Sequence, residues 1–234
     1  MTEEEKRIED EALEFIKHNK KLVLDTFCPP SLCHAVTNPV SLFMAGSPGA
    51  GKTEVSKGLV RRFRDTPVRI DADEIRSLCP SYLGGNAHLF QKAANKGVNF
   101  LYDYALDKEI NCIMDSTFIY AGASENIERS LKHGRKIEIW FIYQDPIRAW
   151  EFTKAREVRE ARRISKEVFI NAFFESRANV RIVKDMFGKN IELNILIKNY
   201  AANEGEVRLN VPANELDRLA DDRYSVDVLT EILV

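Results

Sequence analysis

Eight consecutive residues, Gly46-Ser47-Pro48-Gly49-Ala50-Gly51-Lys52-Thr53, constrain this chain more than any others, because they match the pattern G-x-x-x-x-G-K-[ST] at every fixed position. Each fixed residue has a physical task. The glycines let the backbone wind tightly enough for successive N–H groups to converge on phosphate oxygens. Lys52 reaches the terminal phosphates, and the Thr53 hydroxyl can ligate Mg²⁺. The pattern carries weight only with a strand running in and a helix running out. Val40-Ser41-Leu42-Phe43-Met44-Ala45 is rich in β-formers, and Val55, Leu59 and Phe63 fall at i, i+4 and i+8 on one helix face. That helix would aim its N-terminal dipole at the phosphates. A glycine-rich turn with no ligand is the bland alternative, and Lys52 and Thr53 standing in register together weigh against it.

With 234 residues, 44% hydrophobic and 30% charged, the chain reads as one globular domain over 1–234, with a helical leader at 1–36 and a lid segment at about 146–166. A net charge of -2 excludes a protein that coats nucleic acid or an anionic membrane by bulk electrostatics, so neither partner is expected. No stretch reaches membrane-spanning length, and the acidic start Met1-Thr2-Glu3-Glu4-Glu5 lacks a secretory pattern, so a cytoplasmic protein is expected. The cysteines Cys28, Cys33, Cys79 and Cys112 are scattered and read as reduced thiols. Cys28, Cys33 and His34 cluster, but without zinc spacing or a second ligand pair.

Thr2 and Glu5 form a capping box ahead of Ile8, Ala12, Phe15 and Ile16, which predicts an amphipathic helix over about 2–24. After the phosphate loop and its helix, Val68-Arg69-Ile70 reads as a second strand ending in Asp71-Ala72-Asp73-Glu74. Acids at the carboxyl end of a parallel strand face the ligand edge of an open α/β sheet. Asp73 is thus either a general base or simply a cap or first-turn acid of the next helix, and position alone does not choose. Residues 87–107 read as a helix carrying Asn95, Asn99 and Tyr102. Ile110 to Asp115 reads as a third strand ending in an acid suited to Mg²⁺ or to substrate hydroxyls, followed by Ser116-Thr117.

Ile137 to Tyr143 reads as a fourth strand, closed by the turn Gln144-Asp145-Pro146. Beyond it Arg148, Lys154, Arg156, Arg159, Arg162 and Arg163 alternate with Glu151, Glu157 and Glu160. Such a run is ordinarily a solvated, ion-paired helix. Beside a phosphate loop it can instead act as a lid over a migrating phosphoryl group. A long helix from Phe169 to about Met186 ends at Gly188. Ile191 to Ile197 reads as a fifth strand, and the tail as a polar loop and a helix near 215–233. Strands alternating with helices predict a doubly wound α/β domain around a parallel five-stranded sheet, with the cradle, Asp73, Asp115 and the arginines at its carboxyl edge.

In this order, Phe43 to Thr53, Ile70-Asp71-Ala72-Asp73-Glu74, Ile113-Met114-Asp115-Ser116-Thr117 and then an arginine-bearing segment, the chain resembles the zeta toxins of bacterial toxin-antitoxin systems. The resemblance implies a P-loop kinase that uses ATP and Mg²⁺ to phosphorylate a sugar hydroxyl of UDP-N-acetylglucosamine or a related UDP-sugar, held in check by a cognate antitoxin. It implies Lys52 and Thr53 on phosphate and Mg²⁺, and Asp73 as base. Asp115 and Thr117 would bind the sugar nucleotide, and Arg156 with Arg162, or Arg163 in its place, would form the lid pair. Two departures stand out: Asp115 where the family often has Glu, and Asn99 where a substrate-binding acid is expected. Another small-molecule or polynucleotide kinase, and a nucleotide-dependent switch without an acceptor, are the competing readings.

Overall fold

The structure, a computed structural model, describes residues 1–120, 122–199, 204–219 and 223–234. Its centre is β1 (Val40–Ala45), in which every residue but the first is buried. A strand covered on both faces reads as a continuous apolar run rather than an alternating one. Parallel β3 (Cys112–Asp115) and β4 (Lys136–Gln144) flank it. β2 (Val68–Asp71) and β5 (Glu192–Asn199) lie outside them, again parallel.

Alternate residues of β1 serve opposite layers, as the two-residue period of a strand demands. Phe43 and Ala45 join the larger core, with Leu101 and Ala105 of α5 (Gln91–Asp107), Ile127 of α6 (Ala123–Lys132) and Val180 and Val183 of α8 (Lys166–Phe187). Leu42 and Met44 face the other way. They pack with Ile113, Trp140 and Ile142 against Val55 and Leu59 of α3 (Lys52–Leu59). A third cluster joins Ala149 and Trp150 of α7 (Pro146–Glu160) to Phe169 and Phe173 of α8 and Leu229 of α9 (Val226–Ile232).

The sheet differs from the expected five strands. A sixth, β6 (Glu204–Arg208), pairs antiparallel with β5, giving the order β2-β3-β1-β4-β5-β6. Glu204-Gly205-Glu206-Val207-Arg208 carries little β-forming character. It joins the sheet because a short connection from β5 can only return antiparallel, where ladder hydrogen bonds outweigh propensity. The N-terminal helix also differs. α1 (Glu3–His18) stops at Asn19, whose side chain donates to the Phe15 carbonyl, and α2 (Lys20–Phe27) continues separately. The capping box forms in both directions, Glu5 N–H to Thr2 Oγ1 at 3.1 Å and Thr2 N–H to Glu5 Oε2 at 2.7 Å. Residues 87–90 are a 3₁₀ turn before α5 rather than its first turn. The tail helix expected over 215–233 is divided into a 3₁₀ stretch (Ala213–Leu219) and α9, with 220–222 outside the described residues.

Candidate active site

The phosphate loop leaves β1 at Gly46 and enters α3 at Lys52. Glycine is required on geometric grounds. Gly49 has φ +73°, and a Cβ there would lie 1.9 Å from the Ala149 carbonyl oxygen of α7. Gly46, at φ +132°, would meet the Ile142 carbonyl oxygen at 2.4 Å. The loop thus seats directly on β4 and on the root of α7, a close approach that only glycine allows. Ser176 Oγ accepts the Gly46 N–H at 2.6 Å, so α8 fixes the point where the loop begins. Lys52 Nζ donates to the Ser47 carbonyl at 2.7 Å. Burial pushes the Lys52 ammonium down to about 8; Arg156 and Arg162 act in the same direction, against Asp115 and Asp71. These side chains therefore share one electrostatic site.

The acids expected at the carboxyl edge are there. Asp71 and Asp115 end adjacent parallel strands in register. Asp115 is nearly inaccessible, its Oδ2 accepting Ser56 Oγ of α3 at 2.7 Å and Arg69 Nη1 of β2 at 2.9 Å. Arg69 also pairs with Asp71 at 3.0 Å and with Glu74. Asp71 caps α4 (Ala72–Arg76), accepting the Asp73 N–H at 2.9 Å, so the capping role that sequence left open for Asp73 belongs to its neighbour. Asp73 sits in the first turn and is enclosed by arginines. Its Oδ1 accepts from Arg76, and its Oδ2 from Arg162 and from Arg156 at 3.2 Å.

The arginine-rich segment is helical to Glu160 as α7. Ala161, at φ +54°, then turns the chain out of the helix. That turn separates two neighbours: Arg162 points inward onto Asp73, while Arg163 is 82% exposed and lies 3.8 Å from Glu157. Gly84 supports the turn from below. Its φ of +79° brings the 83–85 loop so close that a Cβ would lie 2.4 Å from the Glu160 carbonyl oxygen. Thr117 is half-buried beyond β3, and the next residue, Phe118, is fully buried at φ +62° against Phe43. The Phe118 carbonyl accepts Asn179 Nδ2 of α8 at 3.2 Å. Asn99 is exposed on α5. Thr53 is half-buried at the loop's end.

Several participants escaped the sequence reading. Arg76 carried a signal, three residues after Asp73 on one helix face. Arg69, Ser56, Ser176 and Asn179 carried none, because only the packing of β2, α3 and α8 brings them to this edge.

The chain matches the sequence model of the zeta toxin family, described as "Zeta toxin", over residues 29–209. The chain belongs to the zeta toxin family. The fold agrees. A structure from the PezAT chromosomal toxin-antitoxin system of Streptococcus pneumoniae superimposes with a TM-score of 0.65 at 17% identity, covering 99% of this chain and 94% of the other. The complex AvrRxo1-ORF1:-ORF2 with ATP gives 0.61 at 14% identity, covering 95% of this chain and 73% of the other. No curated protein matches the sequence significantly. Among the described residues no helix is long and apolar enough to cross a membrane, and no three His, Cys, Asp or Glu residues group to hold a metal ion.

Proposed function

We propose that this zeta toxin is a kinase that transfers the terminal phosphoryl group of ATP to a sugar hydroxyl of UDP-N-acetylglucosamine or a related UDP-sugar, and that a cognate antitoxin protein restrains it. The observation that carries the reading is the enclosure of Asp73 by Arg156 and Arg162 beside the phosphate loop, a carboxylate and two cations at one point, which supports Asp73 as the base. The backbone of Ser47 to Gly51 and the Lys52 ammonium hold the nucleotide phosphates, in a loop that glycines at positive φ let wind tightly. Thr53 would ligate Mg²⁺, which when bound neutralises phosphate charge and holds the phosphates in line.

Asp73 Oδ2 takes the hydroxyl proton, and Arg156 and Arg162 turn from that oxygen to the transferring phosphate, so the same two side chains stabilise the base at rest and the phosphoryl group in transit. Asp115 and Thr117, at and just beyond the end of β3, orient the acceptor, with Asn99 at its periphery. The experiment is ³¹P NMR of the protein with ATP, Mg²⁺ and a panel of UDP-sugars, nucleosides and a DNA oligonucleotide, with Lys52→Ala as control. A Lys52-dependent sugar-phosphate resonance with UDP-N-acetylglucosamine is expected. ADP without a new phosphoester would replace the kinase with an ATPase or switch, and a product with another acceptor alone would keep the chemistry and discard the sugar.

A further inference from the structure

We propose that Arg76, braced by Gln91, is the positioning residue for Asp73: it holds the carboxylate through Oδ1 and so aims Oδ2 at the acceptor hydroxyl. The proposal deepens the kinase reading above and rests on it for the role of Asp73, but not for the pairing itself. The two oxygens of Asp73 are served from different parts of the fold. Oδ2 meets Arg156 and Arg162, which belong to the segment after β4 and are 39% and 23% exposed. Oδ1 meets Arg76, which lies on the same short helix as Asp73 and is 5% exposed. The second arm of the Arg76 fork goes to Gln91 Oε1, and Gln91 Nε2 in turn donates to Asn95 Oδ1 at 2.8 Å. A chain of hydrogen bonds thus runs from the base into α5, whose first turns pack under α4 at Ile75 and Gly97.

Two physical arguments give this arrangement a purpose. A buried guanidinium is expensive, and a whole buried ion pair can often be replaced by apolar side chains without loss, so fold stability alone does not account for the pair. Among the described residues Arg76 Nε has no partner, which is not how a group placed for maximal bonding is arranged. What a planar fork supplies is orientation: one arm on the carboxylate and one on a fixed amide set the carboxylate plane. Its charge is also permanent, so it favours the ionised form of Asp73 whatever Arg156 and Arg162 do. Around Asp73 the charged neighbours are Arg76 on α4, Arg156 on α7, Arg162 beyond it, Asp71 at the head of α4 and the Arg69–Glu74 pair, with Lys52 next to the two mobile arginines. When Arg156 and Arg162 turn to phosphate, Arg76 is the cation that stays.

The test follows the Asp73 carboxyl carbon by ¹³C NMR in protein labelled at aspartate, assigned with Asp73→Asn. Arg76→Gln should raise the titration midpoint by about one pH unit or more, Arg76→Lys by less than half of that, and Arg163→Gln not at all. With ATP, Mg²⁺ and UDP-N-acetylglucosamine, Arg76→Gln should lose roughly tenfold or more in kcat, with KM for both substrates within about threefold and the acid limb of the profile moving with the carboxyl midpoint. Arg76→Met, of similar volume, should show the same losses when measured below its own, lower melting temperature, which serves if the glutamine variant does not fold. An unmoved midpoint overturns the proposal, as does unchanged kcat, or a raised acceptor KM at full kcat, which would make Arg76 a substrate contact. If the unaltered protein transfers no phosphate, the kinase reading fails while the titration still decides the pairing.

Discussion

At the scale of single residues the site is a balance of charge. Four carboxylates, Asp71, Asp73, Glu74 and Asp115, interlock with Arg69, Arg76, Arg156 and Arg162, and Lys52 is buried beside them. Asp73→Asn keeps the shape of the proposed base and removes its chemistry: it should retain ATP affinity and lose roughly 10²-fold or more in turnover, measured by steady-state kinetics beside calorimetric nucleotide binding. Normal turnover would reassign the base. Lys52 gives a pH prediction with a definite sign. Its ammonium titrates near 8, and anionic phosphates favour its charged form, so nucleotide binding must draw in a proton wherever the free protein has lost it. ATP affinity should be flat below about pH 8 and weaken above it, and calorimetry near pH 8.5 in buffers of different ionisation enthalpy should register proton uptake. Proton release there would contradict the burial of Lys52.

At the scale of elements, α7 and α8 hold the loops that β1 and β3 deliver. The phosphate loop rests on α7 so closely that Gly49→Ala should abolish nucleotide binding, since a methyl group cannot occupy the place of the Ala149 carbonyl and φ is already left-handed. On α8, Ser176 and Asn179 stand three residues apart on one face and bind Gly46 N–H and the Phe118 carbonyl, so one helix sets the spacing between cradle and acceptor loop. Ser176→Ala should cost about 1–2 kcal/mol in chemical denaturation and weaken ATP binding several-fold by freeing the first amide of the loop. The turn at Ala161 makes a sharp contrast. Arg162→Gln should reduce turnover by roughly 10²-fold, whereas Arg163→Gln, exposed on the outer side, should stay within about twofold. Equal losses would show that the segment rearranges in the complex.

On the scale of the whole molecule, the edge opposite the site is tied as tightly as the site itself. Arg135 is buried with no carboxylate partner among the described residues, donating to Ser41 Oγ at 2.7 Å and to the carbonyls of Ala105, Val40 and Ile110, so that β1, α5 and the approach to β3 share one guanidinium. Arg135→Met would strand several buried acceptors and should cost on the order of 3 kcal/mol, read as a lower denaturant midpoint with the nucleotide affinity of the folded fraction unchanged. The leader is also structural. Ile16 of α1 and Val23 of α2 are fully buried in the main core, and Glu9 pairs with Lys92 at 2.6 Å, so α1 is part of the α5 layer rather than an appendage.

The sequence by itself determined the features that local chemistry dictates. The phosphate loop follows from glycine, lysine and threonine at fixed spacing, the parallel core strands from their apolar runs, the capping box from Thr2 and Glu5, and the acids at strand ends from where those runs stop. Register along a chain is enough for such features. Contacts between distant segments were left to the tertiary structure. β6 was missed because Glu204 to Arg208 becomes a strand only through its partner's open edge. Asp71 took the capping role because the helix begins at Ala72, two residues earlier than a cap at Asp73 would place it. Arg162 was separated from Arg163 by a left-handed Ala161 that no pattern announces, and Arg76 gained its meaning from Gln91, fifteen residues away. Spacing fixes which groups a chain carries, whereas burial and direction, which decide whether a charge is a base, a brace or a solvated side chain, arise only once the layers close.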